Sequence, residues 1–252
     1  MFWDIEVSPL LVTTWRIGND IRLTYENIVK ERSIISVSWK WEGGKTQSLT
    51  WDKNQNDKKL LQEFVPILNS ADESVAHFGD NFDLKWVKAR ALYHRIPTLP
   101  SYHTTDTCKL ASKFYFCSRK LDYLAKFLGV GQKIRTEDGL WRRVVLDKCE
   151  KSLRFMEKYN RADVELLEQV WQILQHVSPH KTHAAVVNGG ERWQCPRCES
   201  EKVYLNKTRV TAAGTKQYQM ACRSCGGYHS VSGTVHEQYL ASKLPNLRPR
   251  NP

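Results

Sequence analysis

The sequence predicts a mixed α/β domain over residues 1–176, a linker over residues 177–190, a small β module over residues 191–235 and a C-terminal tail over residues 236–252. Strand-type and helix-type patterns alternate through the first part. Hydrophobic periodicity is then lost in a stretch that contains a Gly-Gly pair. Two Cys-x-x-Cys pairs follow this stretch, which is typical of a small metal-bound module.

Composition restricts the partners and the compartment. The 252 residues carry a net charge of +11, of which residues 177–252 contribute +7 (11 basic and 4 acidic side chains), and this balance favours a polyanionic partner such as nucleic acid. No apolar run approaches the roughly 18 residues that a membrane helix needs. Acidic residues stand where a signal peptide would be basic and then apolar, and the seven cysteines are an odd number, so we expect a reducing, cytoplasmic location compatible with a prokaryotic or phage protein.

The first predicted strand, residues 2–7, contains an unusual pair of acids. Side chains alternate along a strand, so Asp4 and Glu6 share one face while apolar residues occupy the other. Two acids on one face repel each other and are costly to desolvate unless a cation lies between them. The strand therefore indicates a metal site, with an edge strand and solvated acids as the alternative.

The elements that follow are predicted from periodicity and from turn or capping residues. The predicted strands of an antiparallel meander are residues 13–17, 21–25, 32–41 and 46–51. A helix over residues 57–69, with Pro66 as a kink or an early end, a strand over 74–78 and a helix over 81–93 come next. The remaining predictions are a capped short helix over 104–111, a helix over 120–128, an irregular segment over 131–145 and two helices over 146–159 and 161–175.

Basic and aromatic residues are interleaved between these later helices. Residues 113–116 read Lys-Phe-Tyr-Phe, a pattern that can stack bases, although core packing is the preferred role of each aromatic side chain. The candidate nucleic-acid contacts in this part of the chain are Lys120, Arg142 and Arg143.

Two later acids lie in contexts typical of active sites. Asp83 lies at a predicted strand-to-helix junction, where functional groups collect in α/β sheets. Asp163 lies near a predicted helix start, four residues after Tyr159, so both side chains point the same way if the helix is continuous.

In this order, Asp4-x-Glu6, Phe82-Asp83 and Tyr159-x-x-x-Asp163 resemble the three motifs of the DEDD superfamily of 3′–5′ exonucleases, which are DnaQ-like proteins with an RNase H-like fold. The tyrosine is that of the DEDDy branch, which is similar to the proofreading domains of family B polymerases. Residues 106–111 and 120–125 resemble family segments between the second and third motifs, so the resemblance covers residues 1–176. One departure is Phe78, where the family usually has Asn.

The resemblance implies an RNase H-like mixed sheet flanked by helices and a site for two Mg²⁺ or Mn²⁺ ions. Asp4 would bridge both ions, Glu6 and Asp163 would hold the ion that activates water, Asp83 would hold the second ion, and Tyr159 would position the attacking water. The expected activity is 3′–5′ hydrolysis of single-stranded DNA in replication or repair, with a polymerase or another replication or repair protein as a further candidate partner. An RNA-trimming exonuclease and a non-catalytic nucleic-acid-binding or polymerase-recruiting protein are the alternatives.

The C-terminal module resembles a zinc ribbon. Two Cys-x-x-Cys knuckles flank a predicted hairpin, with strands over residues 202–211 and 216–221, and four thiolates suit one structural Zn²⁺. The four predicted ligands are Cys195, Cys198, Cys222 and Cys225. An iron–sulfur cluster and a redox pair are alternatives.

Basic residues give this module a cationic surface. The candidate nucleic-acid contacts are Arg197, Lys207, Arg209, Lys216 and Arg223. Docking on a protein partner is the alternative role. In the linker, His180 and His183 have a spacing that could ligate a metal, but exposed linker histidines are the preferred interpretation.

Overall fold

The computed structural model describes residues 1–179 and 181–243. The chain divides into two compact units, Met1–Leu174 and Gln175–Pro252, and the second is described up to Lys243. His180 and the part of the predicted tail after residue 243 lie outside the described residues. None of the described helices is long and apolar enough to cross a bilayer.

A mixed sheet forms the centre of the first unit. The structure describes every residue of this unit. The strands of this unit are β1 (Phe2–Val7), β2 (Leu11–Val12), β3 (Ile28–Lys30), β4 (Ile34–Lys40), β5 (Gln47–Thr50), β6 (Ser74–Ala76) and β7 (Thr104–Asp106). Five of them pair in the order β5-β4-β1-β6-β7, and β2 and β3 form a separate hairpin. β1 runs antiparallel to β4 and parallel to β6, so the predicted mixed α/β class is confirmed.

Helices cover both faces of this sheet. They are α1 (Lys58–Asn69), α2 (Asp83–His94), α3 (Thr107–Ala111), α4 (Leu121–Phe127), α5 (Leu140–Val145) and α6 (Glu150–Leu174), with a 3₁₀ turn at Tyr25–Asn27. Trp3 of β1 packs with Phe64 of α1 and Val87 of α2 on one face. Phe2 packs with Val164 of α6 on the other face. The alternation along β1 therefore directs its even-numbered residues, including the two acids, toward α6.

A β-bulge interrupts the pairing of β1 and β4 directly after Glu6. Glu6 lies opposite Ser36, but Val7 lies opposite Ile34, so Ile35 is the extra residue. Ile34 packs in the core that contains α1 and α2, whereas Ile35 packs in a separate cluster with α5. Regular alternation would put Ile34 on the face of Ser36, and the bulge instead places it in the same core as Val37.

The predicted strands over residues 13–17 and 21–25 are wrong. Residues 13–24 have no regular structure, and the side chains of Trp15 and Ile17 are fully exposed. The apolar and polar residues of this segment alternate, but Leu23 is exposed as well and Ile21 is only partly buried. Alternation predicts a strand only where a second surface buries one of its faces.

Other differences concern helix boundaries. Residues 146–175 were predicted as two helices, but residues 150–174 form the single helix α6, which places Asp163 in its middle and not near a helix start. The segment over residues 131–145 was predicted to be irregular, yet it ends in α5. Residues 104–106 form a strand that the sequence did not predict, although Asp106 caps the next helix as expected. Pro66 lies inside α1 and does not end it.

The described residues of the second unit form a small β module. Its elements are a 3₁₀ turn (Gln175–Val177), α7 (Ala184–Val187), β8 (Val203–Val210), β9 (Lys216–Cys222), β10 (Tyr228–Val231) and α8 (Gly233–Lys243). The strands pair antiparallel in the order β10-β9-β8, and the β8–β9 hairpin agrees with the predicted one. Residues 236–243, predicted as tail, belong to α8, where Tyr239 packs on Trp193 and donates a hydrogen bond to the carbonyl of Val203.

Candidate active site

β1 and α6 bring three of the candidate carboxylates together. β1 presents Asp4 and Glu6 on the face that α6 covers, and α6 presents Asp163, which is 1% exposed, at the same place. One oxygen of each carboxylate lies within 4.8 Å of one oxygen of the other two. Tyr159 lies one helical turn before Asp163 on the same continuous helix.

Polar contacts fix the rotation of α6 against the sheet. The buried ammonium of Lys40 lies 2.7 Å from Glu165 and 2.6 Å from Glu168. Ser48 of β5 donates a hydrogen bond of 2.6 Å to Glu157. Because these acids lie on both sides of the site residues along α6, the contacts hold the helix face that carries Tyr159 and Asp163 toward β1.

Asp83 reaches the same strand from α2. It is the first residue of α2, and the backbone N–H of Ile5 donates a hydrogen bond of 3.1 Å to its Oδ1. Ile5 separates Asp4 from Glu6, so the contact ties Asp83 to the backbone between the two strand acids. The structure thus brings all four predicted acids to one region.

Burial and mutual repulsion raise the pKa values of these acids. Burial and the negative charge of Asp83 raise the pKa of Asp4 well above its usual range. Burial, together with the charge of Asp163, raises the pKa of Glu6 to about 8. Burial raises the pKa of Asp83 to about 7, against the lowering effect of the hydrogen bond from Ile5. Four acids so arranged hold protons near neutral pH unless a cation compensates their charge.

The donor set fits divalent cations with hard ligand preferences. Carboxylate oxygens are the ligands that Mg²⁺ and Mn²⁺ favour, and the buried carboxylate of Asp163 has a single ion-pair partner, Lys133, among the described residues. A bound divalent ion would displace the protons that repulsion otherwise retains. Asp4, Glu6, Asp83 and Asp163 are therefore suited to hold such ions.

Asn160 is a site residue that the sequence analysis did not identify. Its side chain is completely buried, and its Nδ2 donates a hydrogen bond of 2.6 Å to Asp4 Oδ2. Ser36 of β4 donates to Asn160 Oδ1 over 3.2 Å, which orients the amide. The signal was its position three residues before Asp163, which puts both side chains on one side of a continuous helix.

Lys133 is the second site residue that was missed. Its Nζ lies 2.7 Å from Asp163 Oδ2 and 5.2 Å from the centre of the Tyr159 ring. Burial alone would lower the pKa of Lys133, but the ion pair with Asp163 outweighs burial and raises it. Burial and the charge of Asp163 raise the pKa of Tyr159 to about 12, so the phenol keeps its proton at neutral pH.

A strained turn precedes Asp83. Phe78 has a φ of +64° and is 47% exposed, and its N–H donates to Asp106 Oδ1 over 3.0 Å. His77 Nδ1 contacts the hydroxyl of Thr107 at 2.8 Å, and burial lowers the pKa of His77 to about 4. The turn is therefore tied to the start of α3 and presents an exposed aromatic ring at the position where the resembled family has Asn.

The predicted nucleic-acid contacts of the first unit lie in different environments. Lys120 is exposed at the start of α4, and Arg142 is exposed on α5. Arg143 instead donates to Glu137 over 2.9 Å and to the carbonyl of Asp138 over 3.0 Å, which are structural contacts. Of the aromatic run, Tyr115 is fully exposed, so core packing is not its role.

The four module cysteines form one cluster. Their sulfur atoms all lie within 4.8 Å of one another, with Cys195–Cys225 and Cys198–Cys222 each 3.6 Å apart. A tetrahedral site with Zn–S bonds of about 2.3 Å has sulfurs about 3.8 Å apart. The spacing thus fits one ion and leaves no room for a cluster of several irons. Burial would raise the pKa of Cys222, but the nearby N–H groups of Cys225 and Ser224 outweigh it and lower that pKa to about 7.

The cationic candidates of the module lie mainly on its hairpin. Lys207 and Arg209 are exposed on β8, Lys216 is exposed at the start of β9, and Arg223 lies 4.7 Å from the ring centre of Tyr204. The structure does not gather Arg197 with them, because its guanidinium contacts His176 and the carbonyl of Gln175.

In the segment predicted as linker, His183 has a structural role. Its Nε2 donates to the carbonyl of Arg192 over 3.1 Å, and its Nδ1 accepts a hydrogen bond from the N–H of Val186 over 3.4 Å. Both ring nitrogens are therefore occupied by backbone groups around α7.

Comparisons with known proteins bear on the first unit. A family model described as the RNase_H superfamily matches residues 30–175, which is more than half of the chain and includes Asp83, Tyr159 and Asp163. No curated protein matches the chain.

Proposed function

The chain belongs to the RNase H superfamily, whose members are usually metal-dependent nucleases, and we propose that it acts as an exonuclease. The proposed reaction is 3′–5′ hydrolysis of single-stranded DNA. The membership itself supports nuclease-type activity and nucleic-acid binding. The polarity, the preference for DNA and a mechanism with two Mg²⁺ or Mn²⁺ ions are the further content of the proposal.

One observation carries the proposal. Carboxylate oxygens of Asp4, Glu6 and Asp163 lie within 4.8 Å of one another. Asp83 accepts a hydrogen bond from the N–H of Ile5, which lies between Asp4 and Glu6. A buried cluster of this kind is costly to a stable fold, and divalent cations remove that cost. A purely structural reason for four converging acids would require more cationic partners than Lys133.

The carboxylates would hold the ions, and other residues of the chain would arrange the substrate. When bound, divalent ions would supply activation of water and charge neutralisation at the scissile phosphate and the leaving oxygen. Tyr159 keeps its hydroxyl protonated because its pKa is about 12, so we assign it to hydrogen bonding of the attacking water and not to proton abstraction. Asn160 would hold Asp4 in one orientation through its hydrogen bond.

Exposed rings near the second motif support a single-stranded substrate. Phe78 presents its ring on the turn before Asp83, and Tyr115 is exposed just after α3. Asp106 connects these two parts, because its carboxylate accepts hydrogen bonds from the N–H of Phe78 and from the N–H of Cys108 in α3. Unpaired bases stack on such rings, whereas a duplex keeps its bases stacked internally. The exposed lysines and arginines of the β8–β9 hairpin would bind the phosphate backbone of a single-stranded nucleic acid.

An end-labelled degradation assay tests the proposal. Wild-type protein with Mg²⁺ or Mn²⁺ should shorten a 5′-labelled single-stranded DNA oligonucleotide stepwise and leave a circular single strand whole. Asp4→Ala and Asp163→Ala should each lower the rate at least about 100-fold, while binding of the oligonucleotide persists.

Controls separate this function from its alternatives. Glu63→Gln changes an acid on the exposed side of α1 and should leave the rate unchanged. Faster shortening of RNA than of DNA would assign the enzyme to RNA. An oligonucleotide that stays intact with both metals while it binds the protein would leave a non-catalytic nucleic-acid-binding role and reject the proposed activity.

A further inference from the structure

A cavity of about 440 Å³ lies in the second unit, beside β10 at the edge of the small sheet. One wall comes from the segment that precedes α7, and the other comes from β9 and β10. Its volume lies in the range of small-ligand pockets, about 300–1,000 Å³. The lining includes Lys181, Thr182, Arg192, Gln219, Tyr228 and Ser230.

Hydrogen bonds hold the first wall against the zinc-binding part of the module. The N–H of Ala184 donates to the carbonyl of Pro196 over 2.8 Å, and Pro196 lies between the predicted zinc ligands Cys195 and Cys198. The ring of His183 adds its two hydrogen bonds to backbone groups. The cavity is therefore built on the first cysteine knuckle.

The lining carries positive charge without an acid. Lys181 and Arg192 both contribute to it, and none of its described residues is Asp or Glu. The guanidinium of Arg192 has no ion-pair partner within the described part of the chain. Cations that converge on a cavity without acidic partners favour an anionic ligand, and an arginine fork matches the oxygens of a phosphate.

An uncovered aromatic ring lies beside these cations. Tyr228 is 56% exposed, and its ring packs on no other ring or cation among the described residues. It lies opposite Ala221 in the sheet. Tyr204, on the other side of Ala221, is already covered by Arg223 at 4.7 Å. Tyr228 is thus the ring on which a base can stack at the cavity.

The cavity also contains a hydroxyl whose hydrogen-bonding capacity is unused. Thr182 Oγ1 is buried and has no hydrogen-bond partner within the described residues. A buried hydroxyl without a partner destabilises the fold, and an oxygen of a bound ligand would remove that cost.

We propose that this cavity binds one nucleotide unit, with the base stacked on Tyr228 and the phosphate held by Arg192 and Lys181. The unit is a nucleotide of a single strand or a free nucleoside monophosphate, since both share this chemistry. An acidic peptide would use the cations but not the uncovered ring. This binding rests on the nucleic-acid recognition of the proposed function, but it needs no hydrolysis.

The test uses the full zinc-loaded chain with Asp163→Ala, so that the oligonucleotide stays intact. The affinity of a fluorescein-labelled oligothymidylate is measured by anisotropy, and that of thymidine monophosphate by calorimetry. Tyr228→Leu should weaken binding of the ligand that occupies the cavity about 5- to 150-fold, and Tyr228→Phe should retain it. Tyr25→Leu changes an exposed tyrosine of the first unit and should alter neither affinity.

Two further variants test the phosphate and the hydroxyl. For the oligonucleotide, Arg192→Met should make the slope of log affinity against log salt shallower by about 0.7, the value for one phosphate contact on a single strand. Lys59→Met, on the exposed side of α1, should leave the slope unchanged. Thr182→Val should weaken binding without lowering the Tm, because it removes a hydroxyl that has no partner.

The outcomes separate the two sources of the nucleotide and the rival ligand. A loss of oligothymidylate affinity alone would assign the cavity to a nucleotide of a strand, and a loss of thymidine monophosphate affinity would assign it to the free nucleotide. Affinities that match the control variants for both ligands would overturn the proposal. Binding of an oligo-aspartate peptide that depends on Arg192, by a chain that binds neither nucleotide ligand, would also overturn it.

Folding and catalysis are checked independently of this binding. If Tyr228→Leu loses its zinc, Arg192→Met and Thr182→Val decide the outcome by the same measurements. A wild-type protein that cleaves no oligonucleotide would refute the exonuclease function, whereas the affinities of these variants would still show whether the cavity binds a nucleotide.

Discussion

Asn160 offers the sharpest test of how the carboxylate site is held. Its amide lies between Ser36 and Asp4, completely buried, and connects β4 to β1 through α6. Asn160→Leu keeps the number and branching of the side-chain heavy atoms but removes the donor to Asp4 and the acceptor for Ser36. The carboxylate of Asp4 then loses its one directed contact from α6 and can rotate away from the metal position.

The size of the effect follows from the two hydrogen bonds. A hydrogen bond to a charged group contributes about 1.5–3 kcal/mol, and one between neutral groups contributes about 0.5–1.5 kcal/mol. If the bond from Asn160 to Asp4 acts on the orientation of the metal ligand, its loss lowers kcat by about 10- to 150-fold. Ser36→Ala removes only the neutral bond and should lower kcat by about 2- to 12-fold.

The assay is the steady-state shortening of a labelled oligonucleotide over a range of Mn²⁺ concentrations. We expect the Mn²⁺ concentration for half-maximal activity to rise with Asn160→Leu, whereas the KM for the oligonucleotide changes little. Ser38→Ala is the matched control. Ser38 lies on β4 like Ser36, directly opposite Asp4 of β1, and is equally buried, but its Oγ has no hydrogen-bond partner within the described residues. Wild-type kcat and metal requirement in Asn160→Leu would refute the assigned role.

Two further predictions concern pH and zinc. The pKa of Glu6 is raised from 4.5 to about 8 in the folded protein, so without added Mg²⁺ or Mn²⁺ its contribution to stability is complete below pH 4.5 and is lost as the pH rises through 8. The Tm should therefore fall between about pH 5 and 8.5, and Glu6→Gln should flatten this fall. Mn²⁺ should raise the Tm more at about pH 8.5 than at about pH 5. A Tm that rises over this range would contradict the raised pKa of Glu6. Cys195→Ser combined with Cys198→Ser should remove bound zinc and weaken oligonucleotide binding, measured by metal analysis and anisotropy, and zinc loss with unchanged affinity would instead favour protein docking by the module.

The carboxylates could be predicted because each rests on a local rule. Alternation along a strand places Asp4 and Glu6 on one face, and a spacing of four residues on a helix aligns Tyr159 with Asp163. Asp83 stood at a junction between a strand and a helix, where the structure has it. These rules need only the type of the element and not its neighbours.

Lys133 and Asn160 could not be predicted by such rules. Lys133 reaches the site from a segment without periodicity, and its aim depends on the glycines before it and on the contact with Asp122. Asn160 lies between the two helices that the sequence predicts over residues 146–159 and 161–175, so it is not expected to face the site. Its amide is instead paired on both sides, by Ser36 and by Asp4, which makes a buried asparagine compatible with the middle of α6.

The bulge after Glu6 also determines which length changes in this chain survive. Removing one residue from the start of β4 would restore regular pairing with β1, but it would turn either Ile34 or Ile35 away from its own core. We expect natural variants of this fold to keep the residue count between Ile34 and Lys40 constant. Residues 13–24, where Trp15, Ile17 and Leu23 are exposed, should instead tolerate insertions and deletions, so length variation there would mark where selection is weakest.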